Sequence, residues 1–141
     1  MTWIDHYRED HKAVLLLLAK LDGNIREIEK GQARPNNMLE FEEFGEVIKK
    51  VIIPHFKGEE DEIYPNLVQI NPSAAKFVED MLGEHHKLHQ AFGDFLEATE
   101  QARQEKLVQS GKVLLQLLMK HIEKEEDVIP KLRLVDHNPV P

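Results

Sequence analysis

Two phrases in this 141-residue chain repeat one another: HFKGEEDEIYP at residues 55–65 and HIEKEEDVIP at residues 121–130. Each starts on a histidine, carries Glu-Glu-Asp four to six residues later, places an isoleucine eight residues on and then runs into proline. Histidine and glutamate four apart lie about 40° apart around a helix and one turn along it, so an imidazole nitrogen and a carboxylate oxygen can reach the same point. Residues five apart diverge by about 140°, which selects Glu59 over Glu60 and Glu125 over Glu126. A borderline nitrogen donor beside a hard oxygen donor is suited to zinc, iron, manganese or copper.

The elements that must position these groups are helices. Only 7 Gly and 7 Pro interrupt the chain, and apolar residues recur at helical spacing almost throughout. The first helix is expected from an N-cap at Thr2 to Lys30, stopped by Gly31, with a turn over residues 31–37. The second runs from Met38 to Tyr64, bent at Pro54. The third starts near Pro72 and reaches Arg103; the fourth ends near Pro130 and leaves LRLVDHNPVP as a loosely held tail from about residue 131. Short links between four long helices predict an all-α, antiparallel up-down-up-down four-helix bundle, with residues 1–141 as a single domain.

The buried stripe of each helix can be read from apolar residues three and four apart. In the first it is Ile4, Tyr7, His11, Val14, Leu18, Leu21, Ile25 and Ile28; in the second Phe41, Phe44, Ile48, Val51, His55 and Glu59. In the third it is Val78, Met81, His85, Leu88 or His89, Phe92 and Phe95. In the fourth it is Leu107, Gly111, Leu114, Leu118, His121, Glu125, Val128 and Leu132. One buried histidine is usually a satisfied core residue, and acidic runs such as Glu60–Glu62 usually form a solvated face. Here every helix points ligand-type groups inward, and burying them without a shared partner is strongly unfavourable. The expected donors are His11, His55, Glu59, His85, His89, His121 and Glu125; His6, His86 and His137 fall off the stripe.

Seven donors exceed the four that a tetrahedral zinc takes. They match two six-coordinate ions joined by two carboxylates and an oxo or hydroxo bridge, with about one position left for a small ligand. The rest of the composition narrows the field. With 26 Asp+Glu against 18 Lys+Arg the net charge is -8, which disfavours nucleic acid and anionic membrane as partners. No cysteine is present, so disulfides, thiolate sites and a cysteine nucleophile are excluded. No apolar leader or membrane-length segment is seen, giving the expectation of a cytoplasmic protein.

His11; His55 with Glu59; His85 with His89; and His121 with Glu125 together resemble the hemerythrin-like (HHE) cation-binding domains. The Glu84–His85 pair and the proline-ended tails of both phrases add to the likeness, which covers roughly residues 3–131. The resemblance implies two iron ions, one held by His85, His89 and His121 and the other by His11 and His55. Glu59 and Glu125 would bridge them, and O2 would bind at the two-histidine iron. Classical oxygen carriers of the family place an Asp five residues after the last histidine, where this chain has Glu126; helix geometry selects Glu125, and Glu126 stands as the alternative.

No glutamate lies three residues before any histidine, so the Glu-x-x-His pattern of carboxylate-rich di-iron oxygenases is absent. Five imidazoles leave more positive charge on the irons and favour reversible diferrous–diferric chemistry. Leu114, Leu117 and Leu118 are expected to wall a dry pocket, with Tyr7 the redox-capable neighbour of His11. The resulting expectation is a protein that binds O2 or a similar small ligand such as NO, for transport, storage or sensing. The alternatives are a peroxide- or NO-reducing enzyme fed by an external reductase, or an iron or redox sensor.

Overall fold

In a computed structural model of the protein, residues 3–136 are described, with side chains from residue 9 to residue 132. The Thr2 cap, the Ile4 and Tyr7 stripe positions, the His6 side chain and His137 therefore lie outside what is described. Four helices form an all-α four-helix bundle: α1 (Trp3–Glu29), α2 (residues 36–70), α3 (Ala75–Gln101) and α4 (Gln104–Asp136). Helix α1 packs on α2 and α4, and α3 packs on α2 and α4, so the helices surround one core in chain order. Gly31 ends the first helix at φ 75, a left-handed conformation that glycine enters without a Cβ clash. The α3–α4 turn is tighter, with Ala102 left-handed at φ 50 and its N–H donating to the Thr99 carbonyl at 3.1 Å. Gly111 brings α4 close to its neighbours, because a Cβ there would meet Ile25 Cδ1 at 3.0 Å and Phe95 at 3.6 Å.

Helix α2 departs from simple α geometry in a way its prolines explain. It contains two π turns, Ile48–Ile52 and Glu59–Ile63, in which the N–H of Ile53 bonds the carbonyl of Ile48 and that of Tyr64 bonds Glu59. Each π turn ends two residues before a proline, Pro54 and Pro65. A proline inside a helix has no N–H to donate and its ring collides with the carbonyl four residues back. Widening the preceding turn to a five-residue closure relieves that conflict without ending the helix. The helix therefore passes Tyr64 and reaches Ile70, six residues beyond the expected end.

An extra residue per π turn also moves the buried stripe. Val51, expected inside, is 40% exposed, while Ile52 is 1% exposed and takes its place. Helix α4 likewise runs through Pro130 to Asp136 rather than ending there. The reason is tertiary: Ile129 packs with Tyr64, Leu67, Ala74 and Met81, and Asn71 donates to the Leu132 carbonyl at 3.4 Å. That cluster is the smaller of two hydrophobic cores. The larger runs through Leu18, Ile25, Phe41, Phe95, Leu107 and Leu118. Between the two lies a layer of buried histidine and glutamate.

Candidate metal centre

Four helices contribute to this layer. His11 comes from α1, His55 and Glu59 from α2, His85 from α3, and His121 and Glu125 from α4. His11, His85 and His121 are each 1% exposed and both glutamates 0%. Their ligand atoms form two groups, Glu59–His85–His121–Glu125 and His11–His55–Glu59, each gathered within 4.8 Å. Glu59 belongs to both. Its Oε1 lies 3.2 Å from His85 Nε2 and its Oε2 3.7 Å from His55 Nε2, so one carboxylate faces each group with one oxygen. Glu125 Oε1 is 3.2 Å from His121 Nε2 and 3.5 Å from His11 Nε2.

The polar atoms of this layer do not satisfy one another. Both oxygens of Glu59 and Oε1 of Glu125 are buried without a hydrogen-bond donor among the described residues. His85 Nε2 and His121 Nε2 face each other at 3.0 Å, a gap that holds only one proton. Without a cation the protein must fill the layer with protons instead. Burial, and then the adjacent Glu125 carboxylate, pushes Glu59 well above the usual carboxylate range. Burial acts on Glu125 in the same direction, but contacts with Glu59, His11 and His121 outweigh it and hold Glu125 well below that range. Burial and the neighbouring His121 charge push His85 down to about 3. His121 is raised to about 9, because Glu125 and Glu84 overcome its burial. Around cations, which supply the positive charge the layer lacks, the two carboxylates and four imidazoles would all become ligands.

A sequence profile of the hemerythrin HHE cation-binding domain matches residues 2–132. The chain belongs to the hemerythrin HHE cation-binding family. With the buried histidine–glutamate layer, this makes it a metal-binding helical domain of the hemerythrin type. No curated protein and no solved structure matched the chain. Among the described residues, no helix is long and apolar enough to cross a membrane.

Of the seven donors expected, the structure brings six together and not His89. Leu88 takes the buried position on α3 at 1% exposed, and the His89 ring lies outside, edge-on to Phe56 at 5.9 Å. His86 is also exposed. Leu114 and Leu118 are buried in the larger core, with Leu117 packed against it.

Two groups the sequence reading did not place in the site are here. Phe56 stacks flat on the His85 ring, centroids 4.0 Å apart and planes 3° from parallel, which fixes that ring's plane. Tyr64 is 1% exposed; its hydroxyl donates to Glu125 Oε2 at 2.6 Å and lies 3.2 Å from His85 Nε2. In an α-helix the residue five after Glu59 would point away from it. The π turn closes over five residues and swings Tyr64 back over Glu59, so the local signal was the Ile-Tyr-Pro that forces that turn.

Glu126, the alternative to Glu125, points elsewhere. Its Oε1 lies 2.8 Å from His11 Nδ1, on the outer side of the ring.

Proposed function

We propose that the domain holds two iron ions side by side in this layer and binds a small ligand such as O2 there. The ligands would be His11 and His55 for one ion, His85 and His121 for the other, with Glu59 and Glu125 spanning both. The observation that carries this is Glu59, whose two buried oxygens each face a different histidine group and have no hydrogen-bond donor among the described residues. A single ion in either histidine group would engage the oxygen facing that group and leave the other stranded. Bound iron would supply electron exchange with the small ligand; the chain's own residues bind and orient the ions and exclude water between two hydrophobic cores. Iron is preferred to zinc or manganese on family resemblance, as is the oxo or hydroxo bridge.

Tyr64 favours a second reading, reduction of peroxide or NO with electrons from an outside reductase. Peroxide reduction to two waters takes up two electrons and two protons, and Tyr64 sets a phenol hydroxyl beside the donors, hydrogen-bonded to Glu125. Metal content of anaerobically purified protein, with visible spectra before and after air, tests both. Two irons per chain and a colour that forms in air and fades under vacuum support ligand binding. Two irons with steady turnover of added peroxide support the second reading. Zinc, or one ion per chain, would overturn the di-iron assignment.

A further inference from the structure

The buried rings are held from outside as well as from within. His55 Nδ1 lies 3.0 Å from Asp10, His121 Nδ1 2.9 Å from Glu84, and His11 Nδ1 2.8 Å from Glu126. A fourth and longer approach, 3.8 Å, joins His85 Nδ1 to Glu60. Every one of these acids is the sequence neighbour of a donor: Asp10 of His11, Glu60 of Glu59, Glu84 of His85 and Glu126 of Glu125. None of the four contacts is to that neighbour. Each reaches a ring on the next helix, α1 to α2, α2 to α3, α3 to α4 and α4 back to α1.

Helix geometry makes this one motif. A residue next to an inward-pointing donor is turned about 100° around the helix, toward the seam with an adjacent helix. On α1 and α3 the acid precedes the donor; on α2 and α4 it follows. Neighbouring antiparallel helices run in opposite directions, so preceding on one and following on the next is the same sense of rotation in space. The acids therefore form a pinwheel around the layer, hydrogen-bonded at three seams and only approaching at the fourth, where His85 Nδ1 has no hydrogen-bond partner among the described residues.

We propose that Asp10, Glu84 and Glu126 are positioning residues that brace the three imidazoles across the bundle, and that their charge favours the more oxidised state of the bound ions. The proposal rests on the reading of the layer as a metal centre. An imidazole whose Nδ1–H donates to a carboxylate has its Nε2 lone pair aimed inward and is a stronger donor to a cation. Most surface ion pairs do little, but here the rings are 8% exposed or less, so water cannot freely replace a lost acid at Nδ1. Lys124, 3.1 Å from Glu84, fixes that brace to α4.

The test compares Asp10→Ala, Glu84→Ala and Glu126→Ala with the amide variants Asp10→Asn, Glu84→Gln and Glu126→Gln. In the metal-free protein, ring 1H–15N spectra should show slowly exchanging Nδ1 protons on His55, His121 and His11. Each alanine should remove the signal from the ring across the seam, Asp10→Ala acting on His55 and not on His11. Each amide, whose oxygen still accepts, should retain it. With ferrous iron added anaerobically, the alanines should bind about 10–100-fold more weakly. The amides should hold iron while its reduction potential rises, a change that loss of structure alone would not give. Ring signals and iron affinity unchanged in the alanines, or changes falling on the sequence neighbour, would overturn the brace. A wild-type protein that takes up no iron would instead sink the metal-centre reading, while the metal-free spectra would still decide the brace.

Discussion

Two clusters of buried polar groups among the described residues are built on opposite principles. Between α1 and the start of α2, Asn24 and Asn37 are 3% and 2% exposed. Asn37 donates to the Asn24 side-chain oxygen at 2.5 Å, Asn24 donates to the Lys20 carbonyl at 2.9 Å, and the Arg34 N–H donates to Asn37 Oδ1 at 2.5 Å. Glu27 and Arg34 complete that network, and neither asparagine appears among the unsatisfied buried groups. The layer of Glu59, His85, His121 and Glu125 is buried at least as deeply, yet both oxygens of Glu59 and Oε1 of Glu125 lie without a donor among the described residues. Both regions must repay the loss of water around their polar atoms. The first does so with its own side chains and is architecture. The second cannot, and that deficit marks it as a place for cations.

This contrast can be broken experimentally, and the largest expected effect is at His121. His121→Ala should abolish binding of the ion on that side, read as iron per chain; full iron content would end the assignment. Glu59→Met comes next and should act in opposite directions on the two forms. It should stabilise the metal-free protein by about 1–4 kcal/mol, because an apolar side chain of similar volume replaces a buried group with no donor. It should also remove the gain in melting temperature that iron gives the wild type. A less stable metal-free variant would mean that Glu59 is satisfied as it stands.

Asn37→Ala should destabilise by about 1–3 kcal/mol in denaturant melts, by orphaning Asn24 and the Arg34 N–H, while leaving iron content unchanged. Loss of iron there would show that the two regions are not independent. Glu125→Ala should lower metal content far more than Glu126→Ala; the reverse ranking would restore the longer spacing to the ligand role. Smallest of all, His86→Ala and His89→Ala should leave metal content alone. Iron lost in the second would return His89 to the three-histidine set that family resemblance implies.

Much of this was written locally. Helical periodicity located the four helices and placed His11, His85, His121, Glu59 and Glu125 on buried stripes, because a residue's direction around a regular helix depends only on its position along it. The same rule chose Glu125 over Glu126, which the structure directs to the outer side of His11. The rule lapses where the helix is not regular. The two π turns of α2 exchanged Val51 for Ile52 and carried Tyr64 into the donor layer, and their hydrogen-bond register follows from proline sterics rather than from any apolar pattern.

The chain by itself determined the helices, the family and the types of donor. Tertiary structure alone decided that Leu88 and not His89 fills the α3 seam, since periodicity allows both and only packing against α2 and α4 separates them. It also decided that helix α4 outlasts Pro130, and that acids beside the donors brace rings on other helices. Those contacts join residues 25 to 115 positions apart, and no local pattern records which helix will stand next to which.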